Sequence, residues 1–534
     1  MRVVLGTAPA LLFEAPVEIV RADGAAELRA ALARAEQALS RNAWVAGYVT
    51  YERTAALGVF DAPREIELPD PANAPRHAPL LATVSRDTYD RAVASLQHAI
   101  YDGDVYQVNY TVPFDFATEG DPFDFYAYVA RRSGAGYQAY AEDGDRTLLS
   151  WSPELFLAFD GDCVRTKPMK GTAPLDRLDE LRNGKNRAEH VMIVDLLRND
   201  LHRVCDDVEV ERFLEIERYP TYATMTTTIA GRPRTKASLA AIFEAAFPCG
   251  SVTGAPKRAA MRFIAEHETG PRGAYCGTIG YLSPRRQGWW NVAIRTAQLD
   301  RVTGAGRFDA GGGIVADSNA RDEWDEILLK ARFLRDGETP FAVLETFAAD
   351  ADQETVGLHL ARMQRSAQAF GIEWSFDYFG RSAQDDKVLR LRLHSDGALE
   401  VRSEPKETPA AITICLSRQR VRSGDPFLRH KTSWRPAHDA AMAEAAARGC
   451  FDALLRNENG EITEGSRTNV FVEKDGALWT PPVSSGLLPG ILRERLVSEG
   501  RARERSLTVG DLRSADGVYV GNSARGLLRA TIIE

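Results

Sequence analysis

Apolar positions recur with helical period along AAELRAALARAEQALS (residues 25–40), and its alanine content supports an amphipathic helix. RDTYDRAVASLQHAIYDGDVYQVNYTVPFDF (86–116) predicts a helix, a glycine turn and then an alternating strand. Further on, TLLSWSPELFLAFDG (147–161), GTIGYLSP (277–284) and WWNVAIRTAQLD (289–300) read as strands. NRAEHVMIVDLLRNDL (186–201) and ARDEWDEILLKARFLRD (320–336) read as long helices. The mixture predicts a mixed α+β class with layered elements. PDPANAPRHAP (69–79) predicts a loop, and RDGETP (335–340) has the turn residues of a linker. After it the pattern restarts with a strand at 341–349, a helix at 358–372 and strands at 387–395 and 398–404. Two domains are expected, at 1–335, with its core at about 80–335, and at 341–534.

The length of 534 residues is too great for one ordinary core. A net charge of −9 argues against nucleic acid as a partner, while leaving room for a local basic pocket. The six cysteines lack metal-finger or C-x-x-C spacing, which fits free thiols in a reducing cytoplasm. The opening MRVVLGTAPALLFEAP is broken by two prolines and ended by Glu14, so no leader is expected. The absence of any apolar run of about 18 residues excludes a helical membrane span.

Candidate chemistry begins with TKPMKGT (166–172), which places Lys170 in what reads as a tight turn instead of on a helix face. Glu189 stands near a helix start, where a carboxylate also complements the helix dipole. Glu323, Glu326 and Lys330 share one helical face, the usual pattern of an exposed ion-pair stripe. The three glycines of DAGGGIVADS free backbone N–H groups to approach an anion, or simply make a turn. Carboxylates on two helices, with Arg295 near by, suit magnesium and a dicarboxylate, because Mg²⁺ takes few protein oxygens and completes its shell with water and substrate.

YQVNYT, SPELF, PMKGT, RAEHVMIVDLLRNDL, FPCGSVTGAPK, CGTIGYLS, IRT and AGGGIVADS…EWDEILLK follow one another in this order. Over residues 80–335 the chain resembles the chorismate-utilising enzymes, which implies a layered α/β domain with large antiparallel sheets enclosing the active site. The resemblance implies that Glu189 and Glu326 bind Mg²⁺, and that Glu154 is the general acid for departure of the ring hydroxyl. Tyr281 and Arg295 would hold the enolpyruvyl carboxylate, and Thr172, Gly312 and Lys330 would surround the ring carboxylate. Gln107 occupies the place of the lysine that activates water in the isochorismate and salicylate synthases, and glutamine is no base. Anthranilate synthases have Pro-Ile-Ala-Gly-Thr where this chain has Pro-Met-Lys-Gly-Thr, as in many aminodeoxychorismate synthases. Lys170 is then implied as a covalent nucleophile, active as the neutral amine. A histidine frequent in relatives is replaced by Thr224, and no tryptophan feedback site is evident. No glutaminase elbow occurs, since Cys249 belongs to FPCGSVTG, so ammonia is expected from a separate glutamine amidotransferase subunit.

FLRHKTSW (427–434), EITEGSRTNVFV (461–472), GLLPGILRERL (486–496) and VGNSARGL (520–527) resemble the fold-type IV pyridoxal-phosphate enzymes. This resemblance implies that Lys431 carries pyridoxal 5′-phosphate and moves the proton, and that Glu464 pairs with the pyridine nitrogen. Arg362 would hold the phosphate, joined by backbone N–H groups near Ile491 and Ser523, with Asn469 supporting the Glu464 strand. A homodimer is a common assembly of that group. The expected activity is bifunctional, from chorismate to 4-aminobenzoate. The alternatives are an anthranilate-type synthase joined to an unrelated aminotransferase, and a C-terminal half that only docks the amidotransferase.

Overall fold

A computed structural model describes residues 1–71, 76–173, 175–182, 184–219, 223–235, 237–331, 334, 341–374, 386–407 and 409–533, without the side chains of Thr172, Glu180, Arg182, Lys185 and Asn186. The expected linker at 335–340 and the end of the helix expected at 320–336 lie largely outside the described residues. The chain divides into two compact units, Met1–Thr339 and Pro340–Glu534.

The first unit is built on two large antiparallel sheets. An eleven-stranded sheet runs from Gly254–Ala255 through Gln107–Glu119, Ala305–Ile314, Thr296–Asp300, Arg146–Ser152, Tyr137–Asp143, Arg2–Leu5 and Ala10–Phe13 to Arg64–Ile66, with Arg76–His77 and Leu81–Ala82 also paired to Gln107–Glu119. A ten-stranded sheet runs from Met169–Ala173 through Ala223–Pro233, Cys163–Lys167, Leu155–Asp160, Gln287–Asn291, Thr278–Leu282, Trp44–Val49 and Thr54–Phe60 to Glu18–Asp23, with Cys205–Arg218 also paired to Ala223–Pro233. Inward residues of both sheets, among them Val3, Phe13, Tyr48, Phe60, Ala141 and Ile279, share one buried cluster. Each outer face is covered by helices. Ala25–Ser40 and Leu239–Ala246 pack on the ten-stranded sheet. Arg86–Tyr101 and Pro122–Ser133 pack on the other. Alternation in each strand thus feeds two different apolar layers.

Two stretches that read as single strands are each broken in the middle. The first leaves the eleven-stranded sheet at Ser152 and enters the ten-stranded sheet at Leu155; the second leaves the ten-stranded sheet at Asn291 and enters the other at Thr296. Both crossings lie side by side. The Val292 N–H donates to the Glu154 carbonyl at 3.0 Å, and the Trp151 N–H donates to the Arg295 carbonyl, also at 3.0 Å. Arg295 sits at φ +49°, a left-handed conformation that a continuing strand would not need. The hydrophobic pattern runs unbroken through both crossings because each sheet buries one face of it.

In the second unit, Ala342–Ala348, Lys387–His394 and Leu399–Pro405 form a three-stranded antiparallel sheet. The helix Gln353–Ala369 packs on it, its N-terminus capped by Asp352, which accepts from the Thr355 N–H at 2.6 Å. An eight-stranded sheet of mixed direction follows, with Thr413–Val421 parallel to Asp452–Asn457. The segment carrying Lys431 is tied to the smaller sheet, where the Leu344 N–H donates to the Lys431 carbonyl at 2.7 Å.

Candidate functional site

Lys170 does not occupy a tight turn. Met169–Ala173 is a short strand against Ala223–Pro233, and its register shifts between Lys170↔Met225 and Thr172↔Thr224. Gly171, at φ +71°, supplies the left-handed residue of this bulge, and bulges re-aim neighbouring side chains. The Thr224 hydroxyl donates to the Gly171 carbonyl at 2.6 Å. At the position where the resemblance implied an imidazole, this chain thus has a hydroxyl that pins the bulge. The Thr172 side chain lies outside the described residues, although its backbone continues the strand.

Lys170 is half-buried, and its positive charge acts on two buried groups, Glu154 and His190. Glu154 is 3% exposed. Burial pushes its carboxyl up to about 7, against the opposing pull of the Ser251 hydroxyl, the Lys170 charge and the Met169 backbone. Its Oε1 has no hydrogen-bond partner, an orphan that calls for a ligand. A carboxyl held near neutrality with a free oxygen is suited to proton donation. Ser251 also bonds the buried Cys249 thiol, Sγ to Oγ 3.2 Å.

His190 and Ser251 were not singled out from the sequence. His190 Nε2 pairs with the Thr227 hydroxyl at 2.7 Å while its Nδ1 is buried without a partner. Burial, then the Lys170 charge, depresses the imidazole to about 4, so it is neutral. It follows Glu189, which is half-buried on the helix Gly184–His202.

The glycine run is neither a turn nor an open nest. Gly311, Gly312 and Gly313 lie within the strand Ala305–Ile314, opposite Thr111, Tyr110 and Asn109. They are needed for close approach: a Cβ on Gly313 would stand 2.0 Å from Gln107 Nε2, and one on Gly311 2.7 Å from the Tyr110 carbonyl oxygen. Gly312 faces the buried Glu323, whose Oε1 accepts from the Ser318 hydroxyl at 2.8 Å. Lys330 Nζ donates to the Gly311 carbonyl at 2.8 Å and pairs with Glu326 Oε1 at 2.7 Å. Glu323 is therefore buried while Glu326 and Lys330 are more open, so the expected uniform ion-pair stripe does not form.

Tyr281 packs in the layer between the sheets, stacked on Trp44 at 6.2 Å and near Phe13 and Trp289. That surrounding is aromatic, not cationic. Among the described residues no three His, Cys, Asp or Glu side chains gather as around a metal ion. A two-carboxylate magnesium site needs no third protein ligand, and the hard oxygens of Glu189 and Glu326 suit that ion.

In the second unit Lys431 is half-buried. Burial lowers its amine to about 8; Glu345 opposes the shift, and Arg362, Arg435 and Arg390 add to it. Sequence reading missed Glu345, a fully buried carboxylate. It accepts from Arg362 Nε and NH2, both at 2.8 Å, and lies 2.6 Å from His359 Nδ1. His359 Nε2 meets the Ser523 hydroxyl at 2.7 Å, and Arg362 NH1 donates to the Pro489 carbonyl at 2.9 Å. Three of the five guanidinium N–H donors are thus taken.

Glu464 Oε1 accepts from the Leu488 N–H at 3.0 Å and lies 3.0 Å from His438 Nε2, and Oε2 accepts from Asn469 Nδ2 at 3.3 Å. A carboxylate has about four lone-pair sites, so one is left for a pyridinium N–H. Ile491 opens the helix Ile491–Ser498, whose first N–H groups lack intrahelical partners. A buried amine, a carboxylate with one open lone pair, two spare guanidinium donors and a helix start form a donor set that fits pyridoxal phosphate.

Residues 59–336 match the model of the chorismate binding enzyme family. The chain belongs to that family. Residues 396–533 match the class IV amino-transferase model, giving this chorismate binding enzyme a second, C-terminal domain of that class. The chain is 37% identical over 256 residues to aminodeoxychorismate synthase component 1 of Salmonella typhimurium, covering 46% of this chain and 56% of the relative. It is 32% identical over 264 residues to anthranilate synthase component 1 of Saccharolobus solfataricus, covering 47% and 62%. The match therefore spans little more than half the length of these two relatives, and about a third or less of some others. The solved anthranilate synthase component I of Streptococcus pneumoniae shares the fold, with TM-score 0.53 and 23% identity over 62% of this chain and 92% of that one. The menaquinone-specific isochorismate synthase of Escherichia coli does likewise, with TM-score 0.54 and 19% identity over 63% and 88%.

Proposed function

We propose that the first unit converts chorismate and ammonia to 4-amino-4-deoxychorismate and water, and that the second eliminates pyruvate from that product to leave 4-aminobenzoate. The observation that carries the reading is the half-buried Lys170, set on a bulge so that its charge acts on the buried, partner-poor carboxyl of Glu154. Lys170 would first give up its proton to solvent and attack C2 of the ring as the neutral amine. Both ring double bonds shift by one position and the C4 hydroxyl leaves, taking the Glu154 proton to become water. Ammonia would then add at C4, both double bonds return, the lysine leaves as the neutral amine, and the added nitrogen gives its extra proton back to the Glu154 carboxylate. Glu189 and Glu326 would hold magnesium, whose charge offsets the ring carboxylate. Arg295 would hold the second carboxylate of chorismate, and Lys330 and Gly312 would flank the first. Ammonia would come from a separate glutamine amidotransferase subunit, as the "component 1" in the names of the curated relatives suggests.

In the second unit, pyridoxal phosphate bound to Lys431 would supply an electron sink. The Lys431 amine would take the proton from C4, and Glu464 would keep the pyridine nitrogen protonated. Loss of that proton and of the enolpyruvyl ether yields pyruvate and an aromatic ring. Incubation with chorismate, ammonium, Mg²⁺ and pyridoxal phosphate should give 4-aminobenzoate by chromatography. Anthranilate as the product would refute the first step, and accumulation of the unaromatised amine would refute the second.

A further inference from the structure

Near the Lys431 segment the second unit carries two arginines, Arg525 and Arg467, without a carboxylate partner among the described residues. Arg525 is half-buried in the turn after Gly517–Asn522, where its backbone N–H and that of Ala524 donate to Asn522 Oδ1 at 3.1 and 3.2 Å. Its Nε–H is taken by the Glu407 carbonyl at 3.1 Å. Asn522 Nδ2 donates to the Arg467 carbonyl at 3.2 Å, which fastens the Arg467 turn to this one. The exposed Arg467 donates to the Phe451 carbonyl at 2.7 Å and lies over the Phe451 ring at 4.9 Å. Among the described residues neither Arg525 nor Arg467 has a carboxylate within ion-pair distance. Arg390, paired with Glu404 at 2.8 Å, completes the group.

The three charges act on one another. Burial, then Arg467 and Arg390, holds the Arg525 guanidinium below its ordinary range, and the Glu407 carboxylate offsets only part of this. Hydrogen bonds tie the Arg525 turn to the Lys431 segment: Ser523, two residues before Arg525, meets His359 Nε2 at 2.7 Å, His359 Nδ1 lies 2.6 Å from Glu345, and the N–H of the adjoining Leu344 donates to the Lys431 carbonyl at 2.7 Å. Arg390 also depresses the Lys431 amine. A half-buried guanidinium such as Arg525, with like charges near it, is costly unless an anion joins it.

We propose that Arg525, Arg467 and Arg390 form an anion subsite beside Lys431 that takes the carboxylates of a cyclic dicarboxylic amine. This rests on the pyruvate-eliminating reading of the second unit and names how that substrate is recognised. A simple α-amino acid has one carboxylate and would leave part of the cluster unmatched. The spare guanidinium N–H groups of Arg525 and Arg467 suit paired contacts to carboxylate oxygens.

The test uses the full chain loaded with pyridoxal phosphate, as wild type, Arg525→Met and Arg525→Lys. With 4-amino-4-deoxychorismate as substrate, pyruvate release should show KM raised about ten- to a hundred-fold in Arg525→Met, with kcat little changed and partial recovery in Arg525→Lys. Chorismate has both carboxylates and no amine, so titrating the cofactor's visible absorbance with it reads affinity without turnover; that affinity should fall by a similar factor. Equal KM and equal chorismate affinity would overturn the subsite. A fall in affinity for pyridoxal phosphate itself would also overturn it, by assigning Arg525 to the phosphate. If wild type binds chorismate at the cofactor but releases no pyruvate, and Arg525→Met weakens that binding, the subsite stands while the eliminating reading falls.

Discussion

Lys170 and Lys431 are the same side chain prepared in two ways. Lys170 stands on a bulged strand with its charge beside a buried carboxyl and a neutral imidazole. Lys431 sits where burial and three arginines outweigh Glu345, and its amine has no hydrogen-bond or ion-pair partner among the described residues. In the first region the acid, Glu154, is the strongly displaced group. In the second it is the lysine itself. The contrast fits the proposed roles: a nucleophile that needs an acid across the substrate, and an amine that must condense with a carbonyl and then exchange a proton.

The largest test of that contrast removes each lysine in turn. Lys170→Ala should lower ammonia-dependent consumption of chorismate by at least about a thousand-fold while leaving the visible absorbance of added pyridoxal phosphate intact. Lys431→Ala should abolish that absorbance and let the unaromatised amine accumulate, with chorismate consumption unchanged. If Lys170→Ala kept full activity with ammonium, its covalent role would be wrong.

Glu154→Gln should cost about a hundred- to a thousand-fold in the amination step, the range for a lost general acid. The pH profile sharpens the assignment. The acid works as the protonated form, and its folded value of about 7 lies above that of an ordinary carboxyl, so kcat/KM should fall as pH rises through about 7. The glutamine variant should lose that limb. A profile that keeps it would assign the titration to another group.

Much of this architecture could be read from local pattern. The helix expected at 25–40 is Ala25–Ser40, because its alanine-rich apolar stripe packs on one sheet. The strands and helix that restart after residue 340 were equally plain, being short amphipathic elements with turn residues between them. What stayed hidden depends on distant contacts. The sheet-to-sheet crossings at Glu154 and Arg295 leave no trace in the hydrophobic pattern. His190 sits inside a long helix, and only the fold sets it beside Lys170. Glu345 is one acid inside an apolar strand, which sequence alone gives no reason to pair with Arg362 and His359 seventeen and fourteen residues away. The glycines at 311–313 misled because a run that lets side chains approach a strand resembles a run that makes a nest.

Thr224 offers a smaller break in the comparison. Its hydroxyl is the bond that fixes the Gly171 carbonyl, so Thr224→Val should loosen the bulge and misplace the lysine. The expected result is a loss of about ten-fold in amination with no change at Lys431, measured by chorismate consumption and by pyridoxal phosphate absorbance. An unchanged rate would show that strand pairing alone aims Lys170.

The smallest expected effect lies in the stability of the cofactor-free second unit. The folded Lys431 amine titrates near 8 and its unfolded counterpart near 10.5, so the fold disfavours the charged form. Below pH 8 the amine is charged in both states and the full cost is present. As pH rises from 8 towards 10.5 the folded amine is already neutral, and the cost fades. Lys431→Met removes the titration, so it should raise the melting temperature of that unit at pH 7 by a few degrees, at about 2–4 °C per kcal/mol. The gain should shrink by pH 10. Loading of wild type with pyridoxal phosphate, which needs the neutral amine, should quicken over the same rise through pH 8. A melting gain independent of pH would mean that packing of the methionine, and not relief of a buried charge, had stabilised the unit, and the depressed Lys431 amine would lose its support.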